Sequence, residues 1–355
     1  MVKKKITYKD AGVDIDKGNE AVKRIKKIIR EIGLSSIEEI GHFGGFFPIS
    51  IEKFKNPVLI SSVDGVGTKL KVAFMVNKHD TVGQDLVNHC VNDILVHGAK
   101  PLFFMDYLAM GKLIPETVEE IVKGIAIACK ENNCLLLGGE TAEMPDFYKV
   151  GEYDLAGFIV GIAEKNKLID GSDIKAGDLI IGLASTGLHT NGYSLARKIL
   201  FEKLKLKPES YISELGRTVA EELLTVHKSY LHAVSYLIEN GLLTGIAHIT
   251  GGGITDNLIR ILPENLMAEI LLDSWDAPPI FKFLVKEARL RQEESFRTFN
   301  MGIGMVLICH YINKEKIISH LKDKKEKYWI IGEIKSGERK VIYIKREQRH
   351  RGAKE

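Results

Sequence analysis

Ser61-Ser62-Val63-Asp64-Gly65-Val66-Gly67-Thr68-Lys69 continues out of the end of an apolar strand, Val58 to Ser62, and the reading of the whole chain turns on it. Two glycines beside an aspartate let the backbone come close to a ligand. Asp64 is a hard oxygen ligand suited to Mg²⁺, and Lys69 carries a charge that pairs with phosphate. A dinucleotide fingerprint needs GxGxxG opening a helix, and a Walker A loop needs GxxxxGK[ST]; the stretch has neither. A tight turn alone accounts for the glycines, but not for the carboxylate and the lysine beside them.

Outward from this loop, Gln84 to Asp93 lies in a helix predicted over residues 81–96. Asp85, His89, Asp93 and His97 are four apart and share one face. Histidine and carboxylate both bind zinc, yet helical spacing puts any such series on one face, so zinc is not favoured. Asn92 and Asp93, near the end of a largely apolar helix, are costly unless paired. Asp93 is therefore a candidate second magnesium ligand. Further on, the apolar Leu135 to Leu137 runs into Gly138-Gly139-Glu140-Thr141-Ala142-Glu143-Met144-Pro145. Carboxylates at the carboxyl end of a strand, next to glycine, suit a metal and nucleotide phosphates. Pro145 argues against a long helix there.

The second half holds two more turns of this kind. Ala184 to Ser194 includes Ser185, Thr186, His189, Thr190 and Asn191 and joins a strand at 179–184 to a helix at 192–203. Hydroxyls, an amide and free N–H groups at a helix start make an anion nest. His189 is placed to donate to a substrate oxygen. His248-Ile249-Thr250-Gly251-Gly252-Gly253 follows a strand and precedes a helix, and its glycines again suit phosphate.

Between these motifs, strands and helices alternate in both halves, which predicts α+β or α/β layers. A second strand is expected at about 68–76 and one long helix at 215–240. The register changes near Leu168, dividing the chain into 1–168 and 169–345, with a basic tail at 346–355. At 355 residues, two domains of ~150 residues are the default. The net charge of +3 suits anionic metabolites and hardly supports nucleic acid, and the tail lacks interleaved aromatics. The four cysteines, Cys90, Cys129, Cys134 and Cys309, form no CxxC pair, which points to a reducing, cytoplasmic setting. No apolar run approaches the ~20 residues that span a membrane, and no signal peptide is read at the N-terminus.

Taken together, these segments resemble the phosphoribosylformylglycinamidine cyclo-ligase family, also called aminoimidazole ribonucleotide synthetase. The resemblance is carried by Tyr8 to Asn19, Ser62 to Leu70, Cys90 to Asp93, Pro101 to Phe104 with Asp106-Tyr107, Gly138 to Pro145 and Tyr153 to Phe158. The second half adds Asn191 to Leu195, His248 to Gly253, Pro278 to Phe281 and Arg297 to Met305. The Asp64 motif is shared across a wider superfamily that includes small-molecule kinases. The opening AGVDID and closing RTFNxGxGM segments select the cyclo-ligase, and a kinase of that superfamily is the alternative.

The resemblance implies an α+β, two-domain synthetase fold, an ATP-binding and dimerising N-terminal domain, and N-terminal strands that form a dimeric barrel in a homodimer. It implies ATP and Mg²⁺ as cofactors and formylglycinamidine ribonucleotide as substrate, with no nucleic-acid or membrane partner. The ring closes to aminoimidazole ribonucleotide, releasing ADP and phosphate, in purine synthesis. Carried onto this sequence, Asp64, Asp93 and Glu140 hold magnesium, and Gly65, Gly67, Thr68 and Gly139 line the nucleotide loop. Lys69 steadies the nucleotide or the moving phosphoryl group. His189, with Asn191 beside it, stands at the reacting amide, and Thr250, Gly251 and Gly252 line a phosphate pocket. The chain departs from the family at Pro145-Asp146-Phe147-Tyr148, at His89 and His97, and at 286–294, where the usual Gly-Asn-Val turn is missing.

Overall fold

The computed structural model describes residues 6–34 and 44–345. The basic tail expected at 346–355 lies outside the described residues. The chain divides into two compact units, Met1–Ile94 with Lys100–Ile162, and Leu95–Ala99 with Ala163–Glu355.

The first unit runs α1 (Ile15–Ile32), β1 (Pro57–Gly65), α2 (Leu70–Val76), α3 (Asp80–Leu95), β2 (Lys100–Met110), α4 (Pro115–Glu131), β3 (Leu135–Glu143) and β4 (Tyr153–Glu164). Its four strands pair in the order β1-β4-β2-β3. β2 is antiparallel to β4 and parallel to β3, so α4 is the crossover that a parallel neighbour requires. α4 has Pro115 in its first turn and buries Val118, Ile121, Val122 and Ile125, the expected apolar stripe. α3 and α4 cross at glycines: a Cβ on Gly83 would stand 2.2 Å from the Ile121 carbonyl oxygen.

Residues 68–76, read above as a strand, are a turn of 3-10 helix followed by α2, which ends at Asn77 in the left-handed region. Leu70, Val72 and Ala73 are buried. In so short an element, apolar residues at alternate positions (Leu70, Val72, Phe74 and Val76) mimic a strand, and packing decides.

The second unit contains β5 (Leu179–Ala184), α5 (Tyr193–Arg197), the short β6 (Tyr211–Ile212) and β7 (Arg217–Thr218), α6 (Val219–Leu223), α7 (Leu231–Glu239), β8 (Gly245–His248) and α8 (Gly253–Ile259). It continues with β9 (Leu266–Leu271), α9 (Pro279–Ala288), α10 (Gln292–Thr298), β10 (Ile303–Cys309), α11 (Lys314–Asp323), β11 (Tyr328–Ser336) and β12 (Lys340–Ile344). Six strands pair in the order β12-β9-β11-β5-β10-β8. The long helix expected at 215–240 is two: α6, opened by a capping box between Thr218 and Glu221, and α7. The break buries Tyr230, whose hydroxyl donates to the Ala184 carbonyl at 2.8 Å.

The α+β, two-domain expectation agrees with this architecture, but the barrel-forming role given to the N-terminal strands is corrected. The N-terminal sheet is an open layer of four strands with β1 and β3 at its edges. The curled, half-barrel sheet is the six-stranded one of the C-terminal unit. Its register shifts between Ile303 and Met305 against β5, and between Ile330 and Gly332 on the other side of β5. Each bulge bends its strand and increases the local twist.

Candidate active site

In the first unit, the loop after β1 faces α3. The Asp64 carboxylate meets His89 Nε2 at 2.6 Å, and Asp93 lies 3.7 Å from the same nitrogen. Asp64 also accepts from the Gly65 N–H at 2.7 Å, and Ser62 Oγ donates to Asp93 at 3.0 Å. Burial opposes charge on His89, but the hydrogen bond to Asp64 and the fields of Asp93, Asp64 and Asp85 outweigh it and raise its pKa. Burial likewise opposes charge on Asp64. The His89 hydrogen bond and charge, with the Gly65 N–H, outweigh it and lower the carboxyl pKa. Two part-exposed carboxylates gathered around one imidazole are a donor set that suits a hard divalent ion.

The helix-face series separates in space. Asp85 pairs with Lys69 at 2.7 Å, and both side chains are fully buried. Desolvation lowers the lysine pKa against the opposing pull of Asp85. Lys69 thus points inward and ties the Asp64 loop to α3. His97 faces the Ile169 carbonyl at 3.3 Å, away from the carboxylates. Gly67, at φ +64°, and Thr68 are exposed on the loop between them.

Gly139 and Glu140 lie on β3, exposed, with Glu140 opposite Tyr107. β3 and β1 are three strand spacings apart, or roughly 14 Å at ordinary spacing. Asp64 and Glu140 of one chain therefore do not share an ion. Glu143, the second carboxylate of that motif, is structural: it accepts from the N–H groups of Asp14 at 2.7 Å and Leu113 at 2.8 Å. Asp14 is in turn the N-cap of α1. Gly12, at φ +96°, leaves room for Pro145, which a Cβ would meet at 2.8 Å. The opening AGVDID segment and the ETAEMP segment thus form one packed element.

In the second unit, the turn after β5 holds His189 at φ +62°, with its ring buried. The Thr186 N–H donates to His189 Nε2 at 3.1 Å, so a neutral ring carries its proton on Nδ1. The ring stacks on His227, with centroids 4.0 Å apart. His227 Nε2 lies 3.1 Å from His248 Nε2 and its Nδ1 lies 3.2 Å from Thr190 Oγ1. Gly304 makes this possible: a Cβ there would stand 2.5 Å from His189 Cε1 and 2.1 Å from the Tyr230 hydroxyl.

Asn191 reaches over the glycine turn, 3.5 Å from where a Gly251 Cβ would be. Its Nδ2 is buried with no hydrogen-bond partner among the described residues, a costly arrangement that a ligand oxygen relieves. Asn257 braces the turn, donating to the carbonyls of Gly251 at 3.1 Å and Gly253 at 2.9 Å, while Thr250 Oγ1 donates to its Oδ1 at 3.3 Å. Gly252 and Gly253 have φ of 94° and 59°, and a Cβ on Gly253 would stand 1.9 Å from the Phe296 carbonyl oxygen. Asn300 ties the two turns to β10, accepting from Ser185 Oγ at 3.0 Å and Gly302 N–H at 2.8 Å and donating to Gly187 O at 2.8 Å.

Sequence reasoning passed over His227 and Asn300 as individual site residues. His227 sat inside an apparent helix, and its signal was the break in apolar period near Val226. Asn300 was visible only as part of the closing segment.

Residues 51–163 match the family model for the N-terminal domain of AIR synthase related proteins, and 175–345 match the model for the C-terminal domain. The chain is 54% identical over 332 residues to the phosphoribosylformylglycinamidine cyclo-ligase of Syntrophotalea carbinolica, covering 93% of this chain and 95% of the relative. It is 54% identical over 338 residues to that of a Thermoanaerobacter species, covering 95% and 100%. The chain belongs to the phosphoribosylformylglycinamidine cyclo-ligase family. Solved structures of the wider fold are more distant. A thiamine-monophosphate kinase from Stenotrophomonas maltophilia aligns with TM-score 0.65 at 14% identity, covering 90% of this chain and 95% of its own. The hydrogenase maturation protein HypE of E. coli aligns with TM-score 0.64 at 14% identity, covering 90% and 93%. At that identity these two show the fold alone, and it is the cyclo-ligase family that carries the function. Among the described residues, no helix is long and apolar enough to cross a membrane.

Proposed function

We propose that the Asp64–Asp93 pair serves the Mg²⁺–ATP step of this cyclo-ligase and that the His189–Asn191 turn serves its substrate. The enzyme converts formylglycinamidine ribonucleotide to aminoimidazole ribonucleotide with ATP, releasing ADP and phosphate. The observation that carries the proposed roles is the gathering of two carboxylates around His89 at the head of the Asp64 loop. Asp64 and Asp93 would hold Mg²⁺ there, with Gly65, Gly67 and Thr68 close to the phosphates. Magnesium-bound ATP supplies the phosphoryl group that turns an amide oxygen into a good leaving group. Glu140 and Gly139 serve the nucleotide from the other edge of the sheet.

The chain's own residues do the rest. Thr250, Gly251 and Gly252 hold the substrate phosphate, and Asn191 Nδ2 donates to a substrate oxygen. His189 presents Nδ1–H as its donor, because Nε2 is occupied by the Thr186 N–H. The nitrogen and the carbon it attacks belong to one substrate, so the closure is intramolecular and the protein's part is to hold the conformer in which they meet. Lys69 acts by fixing the Asp64 loop to α3 through Asp85, not by reaching the phosphates. Turnover of formylglycinamidine ribonucleotide with Mg²⁺ and ATP, read as phosphate and imidazole product together, tests the reaction. Equal yields are expected, and a stable phosphorylated substrate without imidazole would refute it.

The active form is proposed to be a cytoplasmic homodimer. Leu59, Val63, Tyr107 and Phe158 are exposed on β1, β2 and β4, which suits a covering partner. Cys90, Cys129, Cys134 and Cys309 are free and buried, as in a reducing compartment. Light scattering at micromolar protein should give twice the chain mass.

A further inference from the structure

The geometry points to His227 as a positioning residue for ring closure: held by Thr190 and bonded to His248, it fixes the tautomer of His248 so that Nδ1 of that ring accepts the proton the closing nitrogen sheds. This rests on the reading that the turns of the second unit hold the substrate, and it adds the group that takes the proton.

Three buried histidines gather in the second unit from three separate segments. His189 sits in the turn after β5, His227 in the link between α6 and α7, and His248 at the end of β8. His248 pairs with Met305 of β10. This sets it beside Gly304, whose missing side chain leaves room for the His189 ring. Burying imidazoles is costly unless their polar atoms are answered. His227 serves two neighbours at once. Its Nδ1 lies 3.2 Å from Thr190 Oγ1 and its Nε2 lies 3.1 Å from His248 Nε2. Its face stacks on His189, with the two planes 20° apart.

The contact between two Nε2 atoms decides the chemistry. A neutral imidazole has one N–H and one acceptor nitrogen, so a single proton lies between the rings. In one setting Thr190 donates to His227, His227 Nε2–H donates to His248, and His248 keeps its proton on Nδ1. In the other, Thr190 accepts from His227 Nδ1–H, His227 Nε2 accepts from His248 Nε2–H, and Nδ1 of His248 is the acceptor. Ring closure requires the second. The nitrogen bonds to the carbon with its own electron pair and sheds a proton, while phosphate leaves with the pair of the C–O bond. His248 Nδ1 takes the proton. The Nε2 proton can then pass to His227, so two rings share the positive charge. A partner on the far nitrogen is the usual means of holding a reacting histidine to one tautomer. His189 is the opposite case, since its Nε2 accepts from the Thr186 N–H and its Nδ1 donates. One ring is set to give a proton and one to take it, and His227 touches both.

The test uses the full chain. His227→Phe keeps a ring stacked on His189 and removes both hydrogen bonds. His227→Gln gives up the ring and keeps an acceptor for His248 Nε2–H. Thermal unfolding checks the fold of each. In His227→Phe, kcat for imidazole formation should fall by roughly 100-fold, the lower end of what a positioned base supplies, with KM for ATP and for formylglycinamidine ribonucleotide unchanged. His227→Gln should recover most of that loss. Thr190→Val removes only the hydroxyl; it should show the same split at smaller size, and it carries the test if His227→Phe does not fold. Nitrogen-15 NMR of histidine-labelled protein with neutral rings reads the tautomer without turnover, the His248 signals being assigned by their absence in His248→Gln. Wild type should show Nε2 protonated, and His227→Phe should show that preference lost. A wild-type His248 with its proton on Nδ1 would overturn the proposal. So would wild-type kcat in His227→Phe, a Gln variant no better than the Phe one, or losses that merely follow the melting temperature. Asn191→Leu checks the reading underneath: if it changes neither kcat nor KM for formylglycinamidine ribonucleotide, the substrate does not lie at these turns, whatever the tautomer of His248.

Discussion

The carboxylate site of the first unit and the histidine site of the second are built on opposite principles. Around Asp64 the chain uses charge: Asp64 with His89, Lys69 with Asp85, and Asp93 nearby. Around His189 it uses shape: left-handed backbone at His189 and Gly252, stacked rings, and glycines at 253 and 304 where a side chain would collide. The difference follows from what each would bind. A metal with a triphosphate is held by charges that can be exchanged, so the free site keeps its carboxylates compensated. A small reacting amide is held by direction, so its site spends backbone strain on placing one ring.

The largest effect should come from breaking the buried charge pair. Lys69→Met leaves Asp85 uncompensated in a dry environment, a change that costs about 3–5 kcal/mol. Chemical denaturation should show that loss, and adding Asp85→Leu should recover most of it. If Lys69→Met folds with full stability but loses turnover, the lysine works on phosphate and the contrast between the two sites weakens. Next in size, Asp64→Asn keeps the shape of the loop and removes a ligand charge. Altering even the outer partners of a metal site costs 10–100-fold, so turnover should fall by roughly 100-fold or more, with unfolding little changed. A variant as active as wild type would remove Asp64 from the metal site.

These predictions also mark what the sequence could and could not disclose. Residue type and spacing disclosed the loop chemistry: an aspartate followed by two glycines after a strand, and paired carboxylates after Gly138-Gly139. They did not disclose partners. Lys69 reads as a phosphate ligand because it is a cation at the end of a glycine-bearing loop, and only the fold shows Asp85 across from it. Helix α4 was legible from Pro115 and a regular apolar period. Residues 68–76 were not, because seven helical residues are too few to separate one period from another. His227 was hidden because its role depends on three segments meeting, 184–191, 224–230 and β8, and no local pattern encodes that. The placement of the curled sheet could not be read either, since bulges at Ile303 and Ile330 are features of pairing.

On the shape side, the sharpest probe is Gly304→Ala. Its methyl would stand within contact of both Tyr230 and His189. Overpacking of this sort costs about 1–3 kcal/mol, and here the cost falls on the ring proposed to donate. We expect a drop in kcat with little change in KM for ATP, measured by steady-state phosphate release. If KM for ATP rises instead and kcat holds, the two sites are not separable in the way argued.

The smallest effect is also the one that sets charge against shape most directly. The His89 pKa is raised above its ordinary 6.5 and that of Asp64 is lowered below its ordinary 3.8. A raised histidine adds stability that is complete below 6.5 and is lost as pH climbs through its folded value. A depressed carboxyl adds stability that is complete above 3.8 and is lost as pH falls through its folded value. The pair therefore stabilises most between these two ordinary values, without metal. His89→Asn, compared with wild type in unfolding curves run in chelator across pH, should show its largest deficit inside that window and a shrinking one on either side. Adding Mg²⁺ and ATP should narrow the deficit, because another cation then neutralises the carboxylates. A deficit that is flat with pH would mean His89 serves by packing alone, and the first site would then resemble the second.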